Sequence, residues 1–168
     1  MTNKIKVQPL SREAFAKYGT YNNLLEPGDW PMQGDDVGNV KFFRDVIVSD
    51  IGMSHSPAFS NTKVKRRPLE IQFIEKHDRT CEGMLVIDHD CVMHLGFATA
   101  PGEYPAPEEL EAFLVPKGYF VNIRPGVWHD APFVIEGDEA NTLIMLPECT
   151  YVNDCVVYEY PEHIGIEL

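Results

Sequence analysis

The strongest constraint on this chain is a succession of short apolar stretches with a period of two, cut apart by turn residues. Leu69, Ile71 and Phe73 alternate with Glu70 and Gln72, the pattern of a half-buried strand. Residues 42–43, 46–48, 83–87, 91–98, 113–115, 119–123, 127–135, 142–146 and 156–160 read similarly. Between them stand Asp88-His89-Asp90, the proline-rich stretch 101–107, Pro116-Lys117-Gly118, Arg124-Pro125-Gly126 and Gly137-Asp138. Many short strands at this spacing predict an antiparallel all-β sandwich or barrel.

Helix signals are few. The clearest covers residues 11–18, with Ser11 as N-cap, Glu13 in the first turn and Gly19 as the C′ residue; Leu10 and Phe15 form a hydrophobic staple across its start. Residues 20–39 are rich in Asn, Pro, Gly and Asp without a period, which reads as a long binding or lid loop. Trp30 lies within it, as a loop anchor or a cover for a ligand. A length of 168 residues, with no repeat or linker, predicts one domain over residues 1–168.

Charge excludes several partners. There are 26 acidic residues against 14 basic ones, a net charge of -12. Nucleic acid needs a basic face, and so does an anionic membrane. The N-terminus lacks the apolar core of a signal peptide, and no run of about 18 apolar residues occurs. Cys81, Cys91, Cys149 and Cys155 show no CxxC spacing, so reduced thiols in the cytoplasm are expected.

The period also points to chemistry. Glu75 and His77 share the parity of Leu69, Ile71 and Phe73, so both are expected to turn inward. Glu82 follows five residues after His77. His129 shares the parity of Val127, Ala131, Phe133 and Ile135 and is expected to face the interior too. Buried imidazoles and carboxylates are costly unless paired or bound to a metal. Two histidines with one or two carboxylates suit a divalent transition metal such as Zn, Fe, Mn or Ni. The competing reading is three unrelated barrel residues satisfied by hydrogen bonds, with Glu75 orienting an imidazole. His94 has the parity of Val92 and Gly96 and is expected to face solvent. His55, His89 and His163 suggest no role.

Glu75-x-His77-x4-Glu82 resembles the first motif of the cupin superfamily, with Glu75 where a histidine is usual. Gly118-x6-Pro125-Gly126-x2-His129 resembles the second. A narrower resemblance spans nearly the whole chain. Pro9-Leu10-Ser11, Glu13-Ala14-Phe15 and Tyr18-Gly19 are similar to the opening of the ureidoglycolate lyase family. Glu75-Lys76-His77 and Val121-Asn122 with Val127-Trp128-His129 resemble its other signatures, in the same order and spacing. The chain departs from that pattern at Ile123, Arg124 and Asp130, and Glu82 stands where the family carries a glutamine.

The resemblance implies a cupin-type double-stranded β-helix, a homodimer, and release of urea from ureidoglycolate to leave glyoxylate. In that setting His77, Glu82 and His129 would hold the metal. Glu75 or Asp130 would move a proton, and Arg124 would bind the carboxylate of a small substrate. The departures keep two alternatives open: another cupin enzyme on a small hydroxy acid or sugar, such as an isomerase, or a non-catalytic small-molecule binder. The basic run Lys63, Lys65, Arg66 and Arg67 reads as a solvated loop, with carboxylate capture as its functional counterpart. Even parity puts Trp128 on an outer face or in an interface. Cys81, beside Glu82, is expected to be a buried spectator.

Overall fold

The computed structural model describes residues 4–28, 40–52 and 54–168, so Trp30 lies outside the described residues. Its first elements are β1 (Lys4–Pro9), α1 (Arg12–Phe15), β2 (Gly19–Asn23), β3 (Pro57–Lys65) and β4 (Glu70–Lys76). Then come β5 (Glu82–Val86), β6 (Cys91–Leu95), β7 (Glu111–Val115), β8 (Tyr119–Ile123) and β9 (Phe133–Val134). The chain ends with β10 (Glu139–Pro147), α2 (Thr150–Asn153) and β11 (Val156–Glu167).

Eight of these strands pair like one long hairpin rolled up. β3 pairs with β10, β5 with β8 and β6 with β7, all antiparallel. β4 meets the segment leading into β9 through an antiparallel bridge, Glu75 to His129. The roll places β3, β10, β5 and β8 in one sheet, with β2 on its edge, and β4, β9, β6 and β7 in the other. This pairing of first with last, second with next-to-last, is the jelly-roll arrangement, and it makes the fold all-β as expected.

The terminal strands complete the second sheet. β1 runs parallel to both β11 and β7, and β11 runs antiparallel to β4. Together with the bridges Glu75–His129 and Gly96–Trp128, they bring that sheet round on itself. The apolar core therefore has two clusters. One, between the sheets, holds Phe15, Met84, Met93, Phe113, Val121 and Val127. The other, inside the curled sheet, holds Ile71, Ile74, Val92, Trp128, Phe133 and Ile164.

This second cluster overturns two expectations. All five residues of β6 are buried, because both of its faces are covered. His94 therefore lies wholly inside, not in solvent. Trp128 does face away from His129, but the face it enters is core: the ring is 1% exposed and its Nε1 donates to Thr99 Oγ1 at 3.0 Å.

The strand boundaries also shift. Residues 42–43 and 46–48 form no strand, and β2 occupies the start of the stretch read as a loop. Residues 127–135 are not one strand: Pro132, without an N–H, interrupts the pairing, and Phe133 turns to the second cluster while Val127 stays in the first. β4 reverses its facing in mid-course. Ile71 and Ile74 both enter the second cluster, Phe73 is exposed, and the register with β11 shifts between Glu159 and Ile164. Ser11 caps α1 as expected, accepting from the Ala14 N–H at 3.1 Å. Gly19 is not a helix cap but the first residue of β2, where a Cβ would run into the Asn122 carbonyl oxygen.

Candidate metal centre

Three pieces of backbone assemble the site. β4 delivers Glu75 and ends just before His77. β5 begins with Glu82. The third piece is the turn that delivers His129. Its Gly126 has φ +80°, the left-handed region that Pro-Gly turns require. The Gly126 N–H donates to the His77 carbonyl at 2.6 Å, and Glu75 and His129 exchange backbone hydrogen bonds of 2.6 and 2.8 Å. The ligand strands are thus sewn together beside the residues they carry.

One donor atom from each of Glu75, His77, Glu82 and His129 lies within 4.8 Å of the others. His77, Glu82 and His129 are buried, whereas Glu75 is half-buried. The imidazole orientation is informative. His77 Nδ1 donates to the Asp154 carbonyl at 2.6 Å and His129 Nδ1 to the Val127 carbonyl at 2.9 Å. Carbonyls only accept, so both rings carry their hydrogen on Nδ1 and turn Nε2 to the centre. Both Nε2 atoms then meet the same carboxylate oxygen, Glu82 Oε2, at 3.1 and 3.2 Å. Imidazoles fixed by backbone carbonyls and converging with carboxylates suit a divalent transition metal.

The charges agree with this geometry. Burial alone would raise the Glu82 carboxyl, but the facing imidazoles of His129 and His77 outweigh it and hold the pKa at about 2. Burial would lower the His129 imidazole, yet the Glu82 carboxylate prevails and lifts it to about 9. Without a metal, a proton on His129 compensates Glu82. A dication would take over that role.

The remaining candidates stand apart from the four. Asp130 is half-buried and 3.8 Å from Arg67, and burial raises its carboxyl. Arg124 is exposed, in a surface depression with Arg12 and Tyr21. Among the described residues no hydrogen bond or ion pair joins either side chain to the cluster. Cys81 is buried and outside the cluster, its thiol pushed up chiefly by burial. The basic run divides. Lys63 pairs on the surface with Glu139, while Arg67 is pinned by the carbonyls of Ala131 and Pro132 over the Phe133 ring. The solvated-loop reading therefore fails for Arg67.

One wall of the site had no counterpart in the sequence reading. It is the segment from α2 to the start of β11. Asp154 offers its carbonyl to His77, and its carboxylate accepts the backbone N–H groups of Asp78 and Arg79 at 3.1 and 2.9 Å. Tyr151 sets its ring edge-on to His77 at 5.8 Å. Cys155 donates its thiol to Glu75 Oε2 at 3.4 Å, and burial above all, with Glu75 and Glu82, pushes that thiol up to about 12. The Asp154 contribution to His77 comes from its backbone, so no motif would reveal it.

A jelly roll with two histidines and two carboxylates gathered at one spot defines a small β-barrel protein with a candidate metal centre. The comparisons narrow it further. The family model described as Ureidoglycolate lyase matches residues 2–167, and the chain belongs to that family. It is 27% identical to a ureidoglycolate lyase of Burkholderia cepacia, over 74% of this chain and 70% of the relative. It is 26% identical to a ureidoglycolate lyase of Pseudomonas aeruginosa strain UCBPP-PA14, over 79% of this chain and 77% of the relative. Two solved structures are more distant. One is the Bacillus subtilis oxalate decarboxylase with its Mn(II) centres, at 13% identity and TM-score 0.41, over 66% of this chain and 24% of that one. The other is RmlC of Streptococcus suis in complex with dTDP-D-xylose, at 14% identity and TM-score 0.35, over 79% and 62%. Among the described residues, no helix is long and apolar enough to cross a membrane.

Proposed function

We propose that this protein cleaves ureidoglycolate, releasing urea and leaving glyoxylate, the reaction for which its family is named. The observation that carries this reading is the convergence of His77 and His129 on Glu82, with Glu75 alongside, in a chain of that family. His77, Glu82 and His129 would hold a divalent transition metal, of the Zn, Ni, Mn or Fe type. Such an ion supplies a Lewis acid for the substrate's carboxylate and hydroxyl oxygens.

The substrate carries its carboxylate, hydroxyl and ureido nitrogen on one carbon. Cleavage removes the hydroxyl proton, breaks the carbon–nitrogen bond and places a proton on the departing nitrogen. Glu75 is suited to both transfers, because it is the half-buried carboxylate of the cluster. Asp130, next in the chain to His129, is the alternative carrier. Arg124 is assigned to the substrate carboxylate, since the turn it starts abuts the His77 backbone through Gly126. A cytoplasmic homodimer acting on this small carboxylate completes the reading.

The test is metal analysis of the purified protein with a urea-release assay on ureidoglycolate, before and after chelation. The reading expects bound metal, urea release, and loss of turnover that added metal restores. No urea release from the metal-loaded protein would overturn the substrate assignment. Full activity after complete metal removal would overturn the role of the metal.

A further inference from the structure

The two site imidazoles are held in unlike ways. His129 Nδ1 donates to the Val127 carbonyl, two residues back in its own segment, so its support arrives with it. His77 Nδ1 donates at 2.6 Å to the carbonyl of Asp154, 77 residues further along the chain. Asp154 commits its other polar groups to the same junction. Its N–H donates to the Thr150 carbonyl at 2.8 Å, which closes α2. Its two carboxylate oxygens accept the consecutive N–H groups of Asp78 and Arg79 at 3.1 and 2.9 Å. The turn that follows His77 is thus fastened to the residue whose carbonyl the ring uses. α2 is fixed by the same residue, and with it Tyr151, whose ring stands edge-on to His77 at 5.8 Å.

We propose that Asp154 is the positioning residue for His77: its carboxylate clamps the turn after the histidine, holds the Asp154 carbonyl on Nδ1, and so keeps Nε2 aimed into the cluster. Asp78 and Arg79 are exposed, so the clamp and not burial orders their turn. Hydrogen bonds to a charged acceptor are also the stronger ones. Without the carboxylate the Asp154 carbonyl is free to leave the ring. Nδ1 then has no fixed acceptor, the tautomer is no longer set, and Nε2 loses its single direction toward Glu82. The consequence for metal rests on the function proposed above: affinity is set in part by a side chain that is not a ligand.

The test uses the full-length protein. In its metal-free form, proton–nitrogen NMR should show slowly exchanging Nδ1 protons on both His77 and His129. Asp154→Ala should abolish the His77 signal and spare that of His129, a split that general loosening of the fold would not produce. Asp154→Asn, which keeps one oxygen acceptor, should leave a weakened His77 signal, and it decides the matter if the alanine variant fails to fold. In Co²⁺ titrations Asp154→Ala should lose roughly tenfold in affinity, the scale for partners of metal-bound imidazoles, with Asp154→Asn between it and the wild type. Thr150→Ala cuts the bond from Thr150 Oγ1 to the Pro147 carbonyl at the other end of α2, and should leave both readings unchanged. A wild-type His77 signal or wild-type Co²⁺ affinity in the Asp154 variants would overturn the proposal. Loss of both histidine signals together would do the same, as would equal effects of Asp154→Ala and Thr150→Ala. The NMR readings need neither ion nor turnover, so they decide the role of Asp154 by themselves. Failure of the wild type to take up Co²⁺ would overturn the metal role alone.

Discussion

Lys76 and Trp128, each one residue from a site histidine, meet on the far side of the strands that carry the cluster. The Lys76 ammonium stands 5.1 Å from the centroid of the Trp128 ring and 2.8 Å from Asp78. Both side chains are nearly inaccessible, at 4% and 1% exposure. This contact locks β4 to the segment bearing His129 from behind, as the Glu75–His129 bridge does along the backbone. Trp128→Ala should cost about 3–5 kcal/mol, as large-to-small core changes do. That corresponds to a fall in Tm of roughly 10 °C in a chain of this size. The same variant should weaken metal binding although it removes no ligand. A melting curve with and without Co²⁺ checks both, and an undiminished metal-induced rise in Tm would break the link.

The three buried members of the cluster should behave as one unit. Glu82→Gln keeps the shape of the side chain but removes the charge that faces two imidazoles. The expected result is a loss of metal affinity of at least about 100-fold, the upper end of the range for changes around a ligand. His77→Ala and His129→Ala should lose comparable affinity. Adding either to Glu82→Gln should cost little more, because the ion is already gone. Metal content after gel filtration decides it: stoichiometric metal in any single variant would remove that residue from the binding set.

Proton competition sets a pH profile. In the metal-free protein the imidazole of His129 is raised to about 9, so below that value an incoming metal must displace a proton. Apparent affinity should therefore rise roughly tenfold per pH unit from about 6.5 to 9 and flatten above. The folding linkage of the metal-free form follows the same sign. Stability from His129 is fully present below the unfolded value near 6.5 and is lost as pH rises through about 9. Titrations of Co²⁺ at several pH values check the slope, and an affinity independent of pH would remove His129 from the binding set.

His94 should make the fold acid-sensitive in the opposite direction. It is fully buried against Phe133, and neither ring nitrogen makes a well-formed hydrogen bond among the described residues. Burial above all pushes its pKa down to about 3. Above the unfolded value near 6.5 the ring is neutral in both states and adds no pH dependence. Below it the unfolded chain takes up a proton that the folded one refuses, and stability falls toward pH 3. The expected loss from His94 is on the order of 2 kcal/mol between pH 7 and pH 5. His94→Leu should flatten that part of the curve in denaturant titrations. An unchanged acid slope would mean that the buried ring takes up its proton at an ordinary pH.

How far these residues could be read in advance depends on what carries the information. Glu75, His77, Glu82 and His129 were legible because side-chain type and spacing hold the signal. Even so, the parity argument reached Glu75 and His77 through a premise that fails, since Ile71 points to the other cluster and β4 changes face before Glu75. β3 went unread because residues 59–63 put Ser, Asn, Thr and Lys on an exposed edge strand, which leaves no clean alternation. His94 and Trp128 were misassigned for one shared reason. Alternation fixes which two faces a strand has, but only the parallel pairing of β1 with β11, remote in sequence, reveals that the second face is covered. The Asp154 carbonyl was beyond reach because backbone ligation leaves no trace in residue type.

The rolled-hairpin pairing also fixes an order of events during synthesis. Glu75, His77 and Glu82 leave the ribosome together, within one hairpin's length of chain, whereas His129 follows 47 residues after Glu82. Its strand can dock only onto a β4 already present, and β3 waits longer still for β10. Such long-range closure is slow compared with local pairing. A nascent chain therefore presents three members of the cluster, Glu75, His77 and Glu82, open on one side, well before His129 arrives. Under the metal role proposed above, the supply of metal during synthesis, and not only in the finished cell, would then enter the yield of loaded protein.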